Sequence, residues 1–96
     1  MSEGHGADVS AEALAQFTQY VRFISQDTAQ NRQRFYRLSW HEMLDGDRAL
    51  VCTWGRRGTA GQSRTIVYPE RAQVQEHLVR LITRCLHRGY HGTDWR

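Results

Sequence analysis

Residues 51–64 have the sequence VCTWGRRGTAGQSR, and the interpretation of the whole chain starts from this stretch. An apolar, β-branched run leads into Trp54, and such a run favours a β-strand. Three glycines then fall within seven residues: Gly55, Gly58 and Gly61. Glycine tolerates positive φ and close backbone approach, and residues 65–68, TIVY, favour a strand again. The pattern therefore predicts a β-hairpin with a glycine-rich turn and an indole at its entrance.

Arginine is concentrated in the same hairpin. Arg56 and Arg57 lie in the predicted turn, and Arg64 lies at the start of the return strand. The guanidinium group is a planar fork of donors that suits phosphate, and an aromatic ring can stack on a base or sugar. The candidate residues for binding a nucleic acid all belong to this hairpin: Trp54, Gly55, Arg56, Arg57, Gly58, Gln62 and Arg64.

Length and charge limit the interpretation of the whole chain. The 96 residues carry 13 basic side chains, all of them arginine, against 10 acidic ones, for a formal net charge of +3. This length allows one domain with a modest core. Because +3 is a mild charge, a nucleic-acid site would depend on a local concentration of arginine. For the complete absence of lysine we favour a genome rich in arginine codons over a functional reason.

The pattern of apolar residues predicts four strands, at residues 20–25, 34–41, 48–54 and 62–68, with a tight turn at residues 45–47, DGD. Short polar connections make the sheet antiparallel. Pro69 suits the first turn of a helix over residues 70–88, and Gly89 marks its end. The apolar face of that helix consists of Val74, Leu78, Leu81, Ile82 and Cys85. We predict an α+β fold: a single antiparallel β-sheet of about four strands with one main C-terminal helix packed on one face.

The ends of the chain and its cysteines add less. Residues 1–9 are small and polar, and residues 10–17 could form a short helix capped by Ser10. We therefore assign residues 1–19 to a disordered tail or short helix, and residues 20–96 to the domain. Cys52 and Cys85 lie in apolar runs without metal-ligand spacing, which favours buried thiols in a reducing compartment. With no signal peptide or membrane-spanning run recognised, we expect a cytoplasmic protein and no membrane partner.

Several of these residues together resemble the WGR domain, a family named for its Trp-Gly-Arg triplet. The resemblance covers about residues 20–90 and rests on Asn31, on residues 34–36, on the extended motif around the triplet, and on the RGY sequence at residues 88–90. The family occurs in poly(ADP-ribose) polymerases and in short or fused bacterial proteins, and we place this chain among the latter. The resemblance implies an antiparallel sheet with one helix and a nucleic-acid-binding module.

The resemblance also implies roles for individual residues. In the polymerases the domain sits near a DNA break, and the motif tryptophan packs against the sugar of a terminal nucleotide. Carried over, Trp54 would be that residue, Arg56 would contact the backbone or a neighbouring domain, and Gly55 and Gly58 would shape the turn. Arg57 departs from the family, where this position is usually apolar, and could add a phosphate contact. The catalytic domain of the polymerases has no counterpart here.

Each of these functional interpretations has a simpler structural alternative. Trp54 shares strand parity with Leu50 and Cys52, which is typical of a core residue. The hairpin arginines could pair with nearby carboxylates at Glu42, Asp45 or Asp47. On the helix, Arg80, Arg84 and Arg88 form a stripe that could be a second phosphate-facing strip, but we favour a solvated face with Glu76 paired to Arg80. His87, His91 and Asp94 have a spacing that suggests a metal site, but Gly89 should interrupt the helix between the histidines, so we predict no metal and no cofactor.

The sequence thus favours a non-catalytic module that binds nucleic acid, with DNA favoured over RNA. No arrangement of nucleophile and base stands out, so we do not expect an enzyme. The alternative is a protein-interaction module, because exposed Trp and Arg are also enriched in interface hot spots. An edge strand of the small sheet could equally pair with a second copy to form a homodimer.

Overall fold

A single antiparallel sheet forms the centre of the computed structural model, which describes residues 9–27, 32–68 and 71–96. In these residues the sheet has five strands, in the order β4-β3-β2-β1-β5. The strands are β1 (Tyr20–Asp27), β2 (Arg32–Glu42), β3 (Arg48–Arg56), β4 (Gln62–Tyr68) and β5 (His91–Trp95). A short helix α1 (Ala11–Leu14) precedes the sheet, and the long helix α2 (Arg71–His87) lies between β4 and β5.

The four predicted strands are confirmed, although three of them run one to two residues further at one or both ends. The predicted turn between β2 and β3 is also confirmed. Gly46 has φ of 92°, and its N–H donates to the carbonyl of Met43 over 3.0 Å. The Asp45 carboxylate accepts from the N–H of Asp47 at 3.1 Å, as short polar side chains often do in turns.

The predicted count of about four strands was too low, because the C-terminal residues form β5. This strand pairs antiparallel with β1, with Val21 opposite Trp95 and Ile24 opposite His91. Its sequence, HGTDW, contains two residue types that disfavour strands, so local propensity does not predict it. The open edge of β1 supplies the missing hydrogen-bond partners. Gly92 is closely packed, since a Cβ there would lie 3.3 Å from a methyl group of Leu14.

One face of the sheet carries the core. The side chains of Val21, Phe23, Leu38 and Leu50 are fully buried there against α2 and the N-terminal segment. Four of the five apolar residues predicted for the helix stripe are buried (Val74, Leu78, Ile82 and Cys85), and Leu81 is partly buried. The cap of α1 is confirmed, because the hydroxyl of Ser10 accepts from the N–H of Ala13 at 3.1 Å. The predictions for residues 1–8, Asn31 and Pro69 lie outside the described residues.

The predicted end of α2 is confirmed, and its geometry positions the next residue. Gly89 has φ of 90°, and its N–H donates to the carbonyl of Leu86 over 3.2 Å. The N–H of Tyr90 donates to the carbonyl of Cys85 over 3.1 Å. These two bonds form a Schellman motif, which closes the last turn of a helix. The motif directs Tyr90 back toward the sheet, where its ring meets that of Tyr36 edge to face at 6.4 Å.

Candidate nucleic-acid interface

Trp54 lies at the end of β3, on the face of the sheet that carries α2. Leu50 and Cys52 occupy the same face and are buried, as their shared strand parity with Trp54 predicts. Trp54 is only partly buried, because it lies at the end of the core. Its ring lies 6.4 Å from that of Tyr36, the residue directly opposite on β2. The indole is therefore anchored on one side and open to solvent on the other.

Two of the three glycines in the hairpin are fixed by close packing. A Cβ on Gly55 would lie 2.8 Å from the Cα of Gly61, and one on Gly61 would overlap the backbone carbonyl of Trp54. The Phe35 ring covers this crossing from the other side, 2.9 Å from the position that a Cβ on Gly61 would take. Distances of this size exclude any side chain. The glycines thus allow the two strands of the hairpin to touch directly beside Trp54.

The tip of the hairpin is a turn in which Gly58 adopts φ of 89°. The hydroxyl of Thr59 donates to the carbonyl of Arg56 over 2.8 Å, and the N–H of Arg57 donates to the carbonyl of Gln33 over 3.0 Å. The backbone of Arg57 is thereby fixed to β2, while its side chain is exposed. The turn is a defined structure rather than a loose loop.

A cavity of about 540 Å³ opens between α2 and the sheet beneath Trp54. Its aromatic walls are Tyr36, Trp54 and Tyr90, and its apolar side comprises Cys52, Ile66, Leu81 and Cys85. Its polar residues are Arg34, Arg64, His77, Arg84 and Arg88. The cavity thus combines aromatic surface with four guanidinium groups, a combination that suits a flat, anionic ligand.

A second cavity, of about 480 Å³, adjoins the first on the side of the glycine-rich turn. It is lined by Arg34, Trp54, Gly55, Arg56, Gly61, Gln62 and Tyr90. Three residues line both cavities, namely Arg34, Trp54 and Tyr90. These three side chains therefore lie between the two compartments, and together the compartments form one extended surface from the hairpin to α2.

This surface is strongly positive. Five arginines line it, from three strands, α2 and the turn directly after α2: Arg34, Arg56, Arg64, Arg84 and Arg88. No Asp or Glu among the described residues lines either cavity, and within the same part of the chain none of the five arginines forms an ion pair. The pairing considered from the sequence, with Glu42, Asp45 or Asp47, is therefore not found for Arg56 or Arg64. The positive charge is left available to an external anion.

The three arginines of the predicted helix stripe have different surroundings. Arg80 lies 3.8 Å from the carboxylate of Glu76, which confirms that pair, and both side chains are largely exposed. Such exposed pairs at spacing i, i+4 contribute little to stability. Arg84 and Arg88, one and two turns further along, line the large cavity instead. All three side chains are exposed, as expected for a solvated face, but Arg84 and Arg88 also border the cavity.

The thiols at the inner side of the large cavity are free and buried, as predicted. Burial raises the pKa of Cys85 to about 12, and the proximity of Cys52 acts in the same direction. Burial also raises the pKa of Cys52 and that of the Tyr36 hydroxyl, which interacts with the Cys52 side chain. All three groups are therefore neutral at pH 7, and the net charge of the cavity comes from its arginines.

Of the seven residues predicted from the sequence, Trp54, Gly55, Arg56, Gln62 and Arg64 line one or both cavities. Gly58 shapes the turn, and Arg57 lines neither cavity. The sequence analysis did not place Arg34 or Tyr90 on this surface, and it favoured a solvated face over a phosphate-facing strip for Arg84 and Arg88. For Arg34 a signal existed, since strand alternation places it on the same face as Tyr36. The other three required knowledge of how α2 packs on the sheet.

Other groups considered from the sequence lie elsewhere. Asp94 accepts from the hydroxyl of Tyr20 at 3.2 Å, so its carboxylate is engaged on β1 and β5. In the described ranges, no group of three or more His, Cys, Asp or Glu side chains could hold a metal ion. No helix of the described chain has the length and apolar character needed to cross a membrane.

Fold and site together define a class of protein: a small α+β domain with a tryptophan and five arginines on one surface. The model of the WGR domain family matches residues 19–94, which is most of the chain, and the chain belongs to this family. WGR domains are nucleic-acid-binding modules. The comparisons with curated proteins and with solved structures gave no match.

Proposed function

We propose that this WGR domain is a non-catalytic module that binds the backbone of nucleic acid, with DNA preferred over RNA. The observation that carries the proposal is the convergence of five arginines around Trp54, without a carboxylate among the described lining residues. Charged hydrogen bonds from arginine to phosphate are among the stronger polar contacts in proteins. The preference for DNA follows the resemblance to the domain that poly(ADP-ribose) polymerases place near a DNA break.

The proposed division of roles follows position. Arg34 and Arg56, together with Gln62, contact phosphates along the smaller cavity beside the turn. Trp54 packs on a sugar or base at the point where the two cavities meet. Gly55 and Gly58 set the shape of the turn, while Arg57 adds a weaker contact from its exposed tip. Arg64 extends the positive surface across β4.

The test is fluorescence anisotropy of labelled linear duplex DNA as a function of salt. If three to five phosphates are engaged, the logarithm of the binding constant should fall against the logarithm of salt with a slope of about −3 to −5. Arg56→Gln should reduce the magnitude of that slope by about 1. A wild-type slope near zero, or no binding at low salt, would exclude backbone binding.

The chain offers a matched control for Arg56→Gln. Arg80 carries the same charge, is exposed and paired with Glu76, and lines neither cavity beside Trp54. Arg80→Gln lowers the net charge by the same amount. Because Arg80 lies outside the proposed site, its replacement should nevertheless leave the salt slope unchanged if binding is local. Equal effects of the two substitutions would mean that only overall charge matters. Competition with closed circular DNA then reports whether ends are recognised, and a matched RNA duplex reports the preference for DNA.

A protein-interaction role is the second candidate, and the edge of the sheet supports it. β4 is an edge strand of seven residues, and Thr65 and Val67 are exposed on it, on the side facing away from α2. Exposed edge strands can pair with a second chain. Analytical ultracentrifugation over a range of protein concentrations tests this directly. A dimer that Val67→Lys dissociates, without any binding of nucleic acid, would favour this function.

A further inference from the structure

We propose that the larger cavity, between α2 and the sheet, binds one unstacked nucleotide, with its base on the aromatic walls and its phosphate at Arg84 and Arg88. The inference rests on the proposed function, to which it adds the class of ligand and two residues of the helix. The smaller cavity would hold the adjoining backbone, because Arg34, Trp54 and Tyr90 line both compartments.

The size of the cavity fits a single nucleotide. Its volume is about 540 Å³, inside the range of about 300–1,000 Å³ that is common for sites of small molecules. A base within a duplex is covered on both faces by its neighbours and cannot enter such a cavity. Insertion requires a base that is free of its partner, and it costs least where the nucleotide is already single-stranded. The cavity therefore selects an unpaired nucleotide rather than a base pair.

The chemistry of the lining explains why a whole nucleotide is inferred. Bare phosphate would use the arginines but not the aromatic surface that Tyr36, Trp54 and Tyr90 present to the cavity. A nucleoside would use those rings and the apolar contacts of Ile66 and Leu81, but none of the charge. Stacking on aromatic rings and charged hydrogen bonds to phosphate are the two elements by which proteins bind single-stranded nucleic acid. A nucleotide is the ligand that satisfies both.

Arg84 and Arg88 are the residues that distinguish the nucleotide site from the backbone contacts of the proposed function. Arg84 lies in the last turn of α2, and Arg88 is the residue directly after the helix. Both are exposed, and the N–H of Arg88 donates to the carbonyl of Arg84 over 3.2 Å, which continues the helical spacing and places both on one side. Both line the cavity, and within the described chain neither forms an ion pair. Arg80, one turn earlier on α2, is instead paired with Glu76 and lies outside this cavity. The three arginines therefore provide two test positions at the end of α2 and an internal control one turn earlier.

The first arm of the experiment measures free ligands by isothermal titration calorimetry with the full chain. We expect deoxyadenosine monophosphate to bind at least tenfold more tightly than either deoxyadenosine or inorganic phosphate. The double variant R84Q/R88Q should bind the nucleotide at least tenfold more weakly than wild type, and R80Q should bind it as wild type does. Circular dichroism checks that each variant is folded. Equal binding of nucleotide and inorganic phosphate, or equal loss in R80Q, would overturn the inference.

The second arm uses strands and separates the two possible sources of the nucleotide. A duplex with one unpaired terminal nucleotide should bind at least fivefold more tightly than the blunt duplex. An abasic residue at that position, or the R84Q/R88Q variant, should remove the gain while blunt-duplex binding persists. Blunt-duplex binding without any gain overturns the nucleotide cavity and leaves backbone binding intact. Binding of the free nucleotide without binding of any strand supports the cavity and overturns the proposed function.

Discussion

Arg34 on β2 lies directly opposite Arg56 on β3, and both side chains are exposed at the cavity beside Trp54. Like charges placed directly opposite each other on neighbouring strands destabilise a sheet. A second such pair, Arg22 and Arg37, lies on the other face, but there Asp94 on β5 is also opposite Arg22. The pair at the cavity has no such compensation among the described residues that line it. This arrangement is what a site for an external anion requires.

Replacing one member of this pair should therefore stabilise the fold and weaken binding. We expect Arg34→Gln to raise the free energy of unfolding by about 0.2–1 kcal/mol in low salt, because the repulsion across the strands is removed. The gain should shrink in about 1 M salt, where charges on exposed side chains are screened. Urea unfolding at both salt concentrations measures it, and Arg80→Gln serves as the control. A loss of stability in Arg34→Gln would show that this pair is not repulsive.

Trp54 packs against the core and is also proposed to bind nucleic acid, so two substitutions are needed to separate these roles. Trp54→Ala should weaken binding of nucleic acid by about 1–3 kcal/mol, the range found for stacking of a base on an aromatic side chain. It should also lower stability, because the indole packs against the core and Tyr36. Trp54→Phe keeps an aromatic ring and should retain part of the affinity with a smaller loss of stability. If both variants bind as wild type does while remaining folded, Trp54 does not contact the ligand.

The glycines of the hairpin should differ in their response to alanine. At Gly58 a Cβ would meet no atom within 4 Å, so Gly58→Ala carries only the strain of its φ of 89°, about 1–2 kcal/mol. At Gly61 the φ of 72° adds the same strain, and the Cβ would also overlap the Trp54 carbonyl and the Phe35 ring. Overpacking of this kind costs about 1–3 kcal/mol more. Chemical denaturation should therefore give a lower free energy of unfolding for Gly61→Ala than for Gly58→Ala. Equal losses of stability would contradict the close packing around Gly61.

Stability should fall in mild alkali because of the buried thiols. The folded state holds the proton of Cys85 up to a pKa of about 12, against the ordinary value of 9.0. Between these values the unfolded chain binds fewer protons than the folded one, so the free energy of unfolding decreases as pH rises. The slope is at most about 1.4 kcal/mol per pH unit for this group, and the pKa values of Cys52 and Tyr36 shift in the same direction.

Because the chain has no lysine, the side chains that titrate in this range are its two cysteines and four tyrosines. Urea unfolding at about pH 7.5, 9 and 10.5 should show a decreasing free energy of unfolding for the wild type. Cys85→Ala should be less stable at the lowest of these pH values, since it leaves a small cavity, but its stability should depend less on pH. If Cys85→Ala showed the same pH dependence of stability as the wild type, groups other than Cys85 would cause the loss of stability in alkali.

The fold was predictable largely because its strands and helix are locally consistent. The alternation of β2 and the apolar stripe of α2 each match the period of the element that forms. β5 was not predictable in this way, because Gly92 and Asp94 disfavour strands and the segment pairs only because β1 offers an open edge. Strand formation there is a consequence of tertiary structure.

The binding surface was predictable only in part, for a related reason. Trp54, Arg56 and Arg64 are close together in the sequence, so their clustering was visible there. Arg84 and Arg88 join them only through the packing of α2 on the sheet. From the sequence alone, their spacing is equally typical of a solvated helix face, and Arg80 does occupy such a face. The difference between these arginines is one of orientation, and the sequence does not encode it locally.

The end of α2 links the stability of the helix to the site, and Gly89 is the position at which to test it. Gly89 has φ of 90°, and a Cβ there would meet no atom within 4 Å, so Gly89→Ala should cost about 1–2 kcal/mol from backbone strain alone, as at Gly58. Asparagine tolerates this conformation better, so Gly89→Asn should cost less. Because the Schellman motif directs Tyr90 into both cavities, binding should weaken in the same order as stability. Thermal unfolding and anisotropy on the same samples would measure both, and a loss of stability without any loss of binding would remove Tyr90 from the ligand surface.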